Sequence, residues 1–221
     1  MKKKLIATAI ITALVGGAAF AANPTNVVTS ANVVGYNQIN VKSNVYVLVA
    51  LNFSNSNPTV SNLFASLPNG SELIFWSTSA QAYSATIGKT RAGWGVPGSN
   101  VLAVGSGVFV KIPAVTNFYL SGDVLMAATS NLYTLSNKYT VLSFPYSADM
   151  PFTNTVLGRL SANGDEISVF GTNGAWSTYG KTRAGWGSAT NLQLTVGQSI
   201  FYKAVTNRTV IESRPYTNSW N

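Results

Sequence analysis

Basic, hydroxyl and aromatic side chains that could bind a ligand occur together in one octapeptide, GKTRAGWG, which is present twice, at 88–95 and at 180–187. Its first three residues match the end of a phosphate-binding loop, whose full pattern is Gly-x-x-x-x-Gly-Lys-Ser/Thr between a strand and a helix. The position that requires the earlier glycine holds Tyr83 in the first copy and Ala175 in the second. Two further glycines interrupt any helix that could follow. The sequence therefore excludes a phosphate-binding loop.

Two hypotheses remain for the charged and aromatic residues of this octapeptide, which are Lys89, Arg91 and Trp94 in the first copy and Lys181, Arg183 and Trp186 in the second. In one, they bind a ligand: the tryptophan stacks on a sugar, and the basic groups bond hydroxyls or acidic groups. In the other, each tryptophan folds back over its own sheet and the glycines permit tight turns. The arginines would then stack on tryptophan or pair with Glu72 and Glu166. We favour the structural hypothesis and keep the six residues as candidate ligand-binding residues.

The sequence contains few residues that could support catalysis or bind a metal. The chain has no histidine and no cysteine, which excludes the usual general base, thiol nucleophile and zinc sets. Its six carboxylates are Glu72, Asp123, Asp149, Asp165, Glu166 and Glu212. The adjacent pair Asp165 and Glu166 would point to opposite faces of a strand, whereas a glycoside hydrolase needs two carboxyls in one cleft. We expect the carboxylates to pair with basic groups or turn amides, and we predict no enzymatic activity, no cofactor and no metal site.

The first 22 residues have the pattern of a secretory signal peptide. Lysines at 2–4 precede an apolar run at 5–15 and a small-residue zone that ends at Ala22, and the run is shorter than the ~20 residues that span a bilayer. The rest of the chain holds 11 basic and 6 acidic residues, without the clustering that nucleic-acid binding needs. We predict a secreted protein, extracellular or at the cell surface with the periplasm as an alternative, that has no integral membrane span and no nucleic-acid partner.

The octapeptide belongs to a longer duplication. Its copies start 92 residues apart, as do VGSGVFVK at 104–111 and VGQSIFYK at 196–203. NGSELIFW at 69–76 matches NGDEISVF at 163–170 with an offset of 94, a drift that small loop insertions would produce. The predicted organisation is a signal peptide at 1–22, a linker at 23–30, one β repeat unit at 31–123, a second at 124–216, and a tail at 217–221.

Each repeat has the pattern of β structure. The runs VYVLVALNF at 45–53 and VLAVGSGVFVKI at 101–112 show no sustained helical period, and Asn-Gly turns at 69–70 and 163–164 precede short β-prone segments. VYVLVAL is apolar on both faces, which favours a strand enclosed in a core over the alternating strands of a transmembrane barrel. The segments after Pro58 and Pro151 each predict one short helix. We predict an all-β fold of two homologous antiparallel lobes in tandem, sandwich-like or forming a partly open barrel.

Several of these segments together resemble a family of uncharacterised exported bacterial proteins built from two β-rich units. They are SANVVGYNQINV at 30–41, VYVLVALNF, NGSELIFWSTSAQAYS at 69–84, the Gly-Trp loop and LAVGSGVFVKI. VGSGVFVK is also similar to the closing strand of the GWNLISLP…GYWV modules of large secreted and surface proteins, although this chain lacks the leading Gly-Trp before its first core strand. The resemblance implies secretion and a non-enzymatic β architecture.

These observations predict a secreted structural or adhesive protein of the cell surface or extracellular matrix. The sparse charge, the duplication and the shortage of catalytic groups favour this function. Strand edges favour self-association or binding to other surface proteins. The alternative function is that of a polysaccharide-binding module with one Gly-Trp loop site in each repeat.

Overall fold

The structure, a computed structural model, describes residues 33–126, 129–171 and 174–216. The predicted signal peptide, linker and tail lie outside these ranges. The described residues form an all-β, sandwich-like fold, as predicted, and none of their sheets closes into a barrel. The elements of the first repeat are β1 (Val34–Val41), β2 (Tyr46–Ala50), β3 (Phe53–Ser54), α1 (Val60–Leu63), β4 (Glu72–Ile74), β5 (Trp76–Ser77), β6 (Ala82–Tyr83), β7 (Ile87–Gly88), β8 (Gly107–Lys111) and β9 (Thr116–Val124).

The second repeat contains a similar series of elements. They are β10 (Thr129–Leu135), β11 (Thr140–Ser143), β12 (Met150–Pro151), α2 (Val156–Arg159), β13 (Glu166–Phe170), β14 (Trp176–Gly180), β15 (Gln193–Leu194), β16 (Ser199–Lys203) and β17 (Arg208–Ser213). Short 3₁₀ helices span Val96–Ser99, Phe152–Asn154 and Gly187–Asn191. The boundaries of the two repeat units remain a prediction, because the described residues belong to a single compact unit.

The two α-helices lie in the segments predicted to hold them, after Pro58 and Pro151. Thr59 is the N-cap of α1 and Thr155 is the N-cap of α2, and each side chain accepts a hydrogen bond from the backbone N–H three residues further on. A threonine at this position satisfies one of the free amides at a helix start. Each helix has only one turn, so packing of its buried residues must stabilise it.

Two four-stranded antiparallel sheets with equivalent strand order form the centre of the unit. The first has the order β2-β8-β4-β7 and the second has the order β11-β16-β13-β14. Their registers agree, since Glu72 lies opposite Lys111 and Glu166 lies opposite Lys203. The predicted Asn-Gly turns precede β4 and β13, and their glycines have φ values of 85° and 89°, which glycine adopts at little cost.

Strands of these sheets are buried on both faces because the sheets also pack on each other. In β8, Val108 and Val110 contribute to the core of the first repeat, whereas Phe109 points to the second repeat. In β16, Tyr202 lies in the core of the second repeat and Phe201 meets Phe109 between the sheets. The same alternation occurs in β2, which confirms that VYVLVAL is enclosed in a core.

The two repeats approach each other closely at Gly107. A Cβ atom on this residue would lie 2.3 Å from Cγ1 of Val141 and 2.7 Å from Oγ of Ser199, so only glycine permits this contact without a shift. A backbone hydrogen bond of 2.8 Å from Ala50 N to Gly197 O also joins the repeats. The absence of a side chain at Gly107 therefore allows the two sheets to pack together.

The remaining strands form smaller sheets, with the orders β1-β9-β3, β10-β17, β12-β15 and β5-β6. Strand β1 pairs with β9 over eight consecutive residues. The register of the equivalent pair, β10 with β17, shifts between Ser130 and Leu132. Such a bulge bends a strand and interrupts its regular pairing, so the two repeats differ at this edge.

Candidate functional site

The two octapeptides form the same tight hairpin, here named the Gly-Trp hairpin. In the first repeat, the backbone N–H of Thr90 donates to the carbonyl of Gly93 at 2.9 Å, and the reverse bond measures 3.0 Å. Thr182 and Gly185 form the same two bonds with the same lengths. Gly93 and Gly185 have φ values of 95° and 106°, a conformation that a β-carbon would strain. The shared backbone geometry explains the requirement for glycine at these positions.

The lysines of the Gly-Trp hairpins attach each hairpin to the segment that follows the short helix. Lys89 Nζ donates to the carbonyls of Ala65 and Leu67 at 2.6 and 2.5 Å. Lys181 Nζ donates to the carbonyl and the hydroxyl of Ser161 at 2.6 and 2.7 Å. Hydrogen bonds from a charged donor are stronger than neutral ones, so both lysines contribute to the position of the hairpin.

The tryptophans are buried beneath the Gly-Trp hairpins. Trp94 and Trp186 are each 4 % exposed. Trp94 Nε1 donates to the carbonyl of Phe64 at 3.3 Å, and Trp186 Nε1 donates to Ser161 Oγ at 3.1 Å. Trp186 also packs edge-on against Phe152, with ring centroids 5.1 Å apart. Neither indole face is accessible for stacking on a sugar in this conformation.

The arginines lie apart from the other candidate residues, at the exposed tips of the hairpins. Arg91 and Arg183 are both solvent-exposed, and the expectation that they pair with glutamates is wrong. Glu72 pairs instead with Lys111, at 2.7 Å between Nζ and Oε2. Glu166 pairs with Lys203, at 3.4 Å. Of the six predicted ligand-binding residues, the structure thus brings lysine and tryptophan together in each repeat and leaves the arginine outside; ligand binding by the six remains a prediction.

Both glutamates also accept a hydrogen bond from a tyrosine. Tyr46 Oη donates to Glu72 and Tyr139 Oη donates to Glu166, each at 2.6 Å. Lys111 and Tyr46 hold the pKa of Glu72 below its usual range. Burial and the bond to Glu72 raise the pKa of Tyr46 to about 12. At neutral pH, Glu72 is therefore ionised and paired with Lys111, and Tyr46 is neutral. This arrangement suits a structural contact rather than proton transfer.

Asp165 is fully buried, and its carboxylate connects several segments of the second repeat through hydrogen bonds. Its carboxylate accepts hydrogen bonds from the backbone N–H groups of Ala162 and Val205 at 2.7 and 2.9 Å. It also accepts from Tyr202 Oη at 2.5 Å and pairs with Arg208. Burial alone would raise the pKa of Asp165, but these four donors outweigh that effect and hold the pKa below its usual range.

The other carboxylate contacts agree with this structural role. Glu212, which is 1 % exposed, accepts hydrogen bonds from the backbone N–H groups of Val156 and Leu157 at 2.8 and 3.2 Å. Asp149 accepts one from the backbone of Val196 at 2.8 Å. The expectation that carboxylates pair with basic groups or turn amides is confirmed for these residues, for Glu72, and for Asp165 and Glu166, whose separate partners keep them apart.

A set of aromatic residues between the repeats was not identified from the sequence. We name it the interface aromatic cluster; its members are Trp76, Tyr83, Phe109, Phe170, Trp176 and Phe201. Its contacts occur in matching pairs. Trp76 to Tyr83 is 5.1 Å and the equivalent pair Phe170 to Trp176 is 4.7 Å between centroids. The match of aromatic positions at the repeat offset was visible in the sequence, but nothing local indicated that the two sets meet.

One side of the interface aromatic cluster opens into a cavity of about 160 Å³. Its lining residues are Trp76, Tyr83, Tyr139, Ser168, Trp176 and Phe201. Tyr83 and Trp176 are 50 % and 40 % exposed, so their rings reach solvent, unlike those of the Gly-Trp hairpins. Ser168 Oγ, in the cavity lining, lies 2.8 Å from Oγ1 of the exposed Thr178. The cavity therefore combines partly exposed aromatic rings with a hydroxyl group.

Strand β1 presents a second surface, its unpaired edge. The backbone N–H of Val124 donates to the carbonyl of Val33 at 2.7 Å, and the β1–β9 register is continuous. Because hydrogen-bonded pairs alternate in an antiparallel ladder, the N–H groups of Tyr36, Gln38 and Asn40 point away from β9. None of these amides has a partner among the described residues.

Comparison of the chain with family patterns, with characterised proteins and with solved structures finds no match. The resemblance stated from the sequence therefore stays an expectation. Within 33–126, 129–171 and 174–216, none of the helices is long and apolar enough to cross a membrane.

Proposed function

We propose that the protein is an exported, non-enzymatic structural component of the cell surface or extracellular matrix, which self-associates by strand addition. The observation that carries this proposal is the unpaired edge of β1. An unpaired edge strand is a template for pairing with another chain, and proteins usually block it with charge, proline or a bulge. The sequence of β1, VGYNQINV, contains neither charge nor proline, and its register is unbroken.

The surroundings of β1 leave room for an incoming strand. An open groove of about 470 Å³ follows Asn37–Asn40 and is bounded on its other side by Val47–Val49 and by the turn at Val196–Gly197. By contrast, the free edge of β2 is already occupied at Ala50, whose N–H donates to Gly197. At the exposed start of β1, Val34 and Tyr36 are 71 % and 74 % exposed and would gain apolar contacts in a dimer.

A second copy of the chain is the partner that this edge fits best. Two β1 strands can pair antiparallel across a twofold axis, which is the commonest symmetry of soluble oligomers. Such pairing brings together no like charges, because the strand is uncharged. It also satisfies the outward N–H and C=O groups of both strands at once.

Substitution of Gln38 by proline tests this proposal. Proline is tolerated in an edge strand where its missing N–H faces solvent, so Gln38→Pro removes a donor for strand addition without loss of a β1–β9 bond. Sedimentation velocity over a hundredfold range of protein concentration should show association of the wild type and of Gln38→Ala. Gln38→Pro should stay monomeric with an unchanged circular dichroism spectrum. A wild-type protein that is monomeric throughout, or equal association of the proline variant, would contradict the proposal.

Export is tested separately from assembly. The sequence pattern of residues 1–22 supports the proposed secretion. Cells that express the full chain with a C-terminal epitope should expose the epitope to added protease, and deletion of 2–22 should leave it in the cytoplasm. Retention of the full chain in the cytoplasm would refute the proposed location and leave the assembly measurement unaffected.

A further inference from the structure

The aromatic cavity between the repeats is lined by two indoles that contact the same phenyl ring. The ring of Phe201 forms its base. The indoles of Trp76 and Trp176 lie 5.0 and 4.9 Å from this base and are inclined to it by 72° and 88°. Both indoles therefore stand nearly upright on the same ring. One comes from β5 of the first repeat and the other from β14 of the second.

The equivalent position in the first repeat explains why the cavity is open. Ile74 lies opposite Phe109 in the first sheet, and Ser168 lies opposite Phe201 in the second. Ile74 belongs to the apolar contacts between the sheets. At the matching place, Ser168 has a smaller side chain and carries a hydroxyl group. The duplicated fold thus accommodates isoleucine at this register position, and serine leaves the space unfilled.

The polar groups around the cavity are suited to hydroxyl ligands. Ser168 supplies a hydroxyl to the cavity lining, and this hydroxyl is hydrogen-bonded to Thr178. Within the described residues, neither the hydroxyl of Tyr83 nor Nε1 of Trp176 has a hydrogen-bond partner. Trp76 Nε1, by contrast, is used in a 2.8 Å bond to the carbonyl of Tyr139. The rim therefore offers two free donors on two partly exposed rings.

The cavity carries no unpaired charge. The nearest carboxylate, Glu166, is hydrogen-bonded to Tyr139 and neutralised by Lys203. This pairing does not favour a cationic or an anionic ligand. The volume of about 160 Å³ is close to that of the ~150 Å³ protein cavity that holds one benzene ring. One six-membered ring therefore fits within this volume.

From these observations we infer that the cavity binds one pyranose residue of a neutral polysaccharide. The apolar faces of the sugar would lie against Trp76 and Trp176, and its hydroxyls would bond Ser168 and Tyr83. Aromatic rings provide large rigid contact areas with little loss of side-chain entropy. The site differs from the sequence-based alternative, which placed one sugar site at each Gly-Trp hairpin, since this one lies between the repeats. It is independent of self-association through β1.

The test is titration of the purified protein with a panel of neutral hexasaccharides: cellohexaose, xylohexaose, mannohexaose, maltohexaose and chitohexaose. At least one should bind in isothermal titration calorimetry with a dissociation constant below about 1 mM and should change tryptophan fluorescence. Ser168→Ile, which copies the first repeat, should abolish binding, and Trp176→Ala should weaken it about tenfold or more.

Matched controls separate binding from folding and from assembly. Val96→Ala, at a position that is 89 % exposed, and Gln38→Pro should both bind the sugar as the wild type does. Tyr83→Ala provides a second cavity variant at a half-exposed position if Ser168→Ile lowers the melting temperature. Absence of binding to every hexasaccharide would overturn the inference, as would wild-type affinity in the folded Ser168→Ile or Trp176→Ala protein.

Discussion

Replacement of Trp186 by alanine is expected to lower the free energy of unfolding of the protein substantially. The ring is 4 % exposed and packs against Phe152 at 5.1 Å, and its Nε1 donates to Ser161 Oγ. Ser161 Oγ also accepts from Lys181, so the substitution disturbs a shared hydrogen-bond network. Replacement of a buried tryptophan by alanine costs about 3–5 kcal/mol. For a folded unit of this size, that corresponds to a decrease in melting temperature of about 6–20 °C.

Urea denaturation monitored by far-ultraviolet circular dichroism measures this free energy directly. Two controls bracket the effect. Arg183→Ala, in the same hairpin but exposed, should change stability by no more than about 0.5 kcal/mol, and Trp186→Phe should lose less than the alanine variant. A Trp186→Ala protein within about 1 kcal/mol of the wild type would refute the structural role that we assign to the Gly-Trp hairpin.

Three further predictions follow from contacts elsewhere in the fold. Gly107→Ala should destabilise the protein by about 1–3 kcal/mol in the same urea assay, because its Cβ would overlap Val141; an unchanged midpoint would contradict the close approach. Asp165 has a lowered pKa, so its contribution is present above the unfolded pKa of about 4 and lost as pH falls further. Asp165→Asn should therefore lower the free energy of unfolding by about 3 kcal/mol at pH 7. Between pH 5 and pH 2, roughly the titration range of an aspartate, the variant should lose less stability than the wild type. Equal losses in the two proteins would contradict this role of Asp165. The hydrogen bond to Glu166, together with burial, raises the pKa of Tyr139 to about 12, and ultraviolet titration of Glu166→Gln should show this tyrosine ionising at lower pH.

The parts of the fold that the sequence predicted correctly are those encoded by local pattern. The Asn-Gly pairs predicted the turns before β4 and β13, and the segments after Pro58 and Pro151 were correctly predicted to hold one short helix each. The two-sided apolar run in β2 indicated a strand with a core on one face and a second apolar layer on the other. Each of these properties depends on residues within one turn or one strand.

The contacts that were predicted wrongly or missed depend on residues far apart in the chain. Pairing with Glu72 and Glu166 is one of the two roles predicted for the hairpin arginines, the other being stacking on tryptophan. The arginines are nearer to these glutamates in sequence than Lys111 and Lys203 are. The strand order places β8 and β16 beside β4 and β13, so lysines on those central strands reach the glutamates first. Local periodicity does not determine which strands become neighbours.

The interface aromatic cluster was missed for a related reason. Its rings come from one hairpin and one central strand in each repeat, and the pattern of each element alone indicates only a short β segment. Alignment of the two repeats shows that Ser168 replaces Ile74 and that Trp176 is equivalent to Tyr83. Their meaning became clear only once the two sheets were seen to pack on each other, because the cavity has walls from both.

Amide hydrogen exchange along β1 tests most directly the claim that this strand edge is where copies of the chain join. At low concentration, the outward N–H groups of Tyr36 and Gln38 should exchange rapidly, whereas those of Asn37 and Ile39, bonded to β9, should be protected. At high concentration, the N–H groups of Tyr36 and Gln38 should become protected, and those of Asn37 and Ile39 should change little. Rapid exchange at both outward amides at a concentration where the protein is assembled would contradict it.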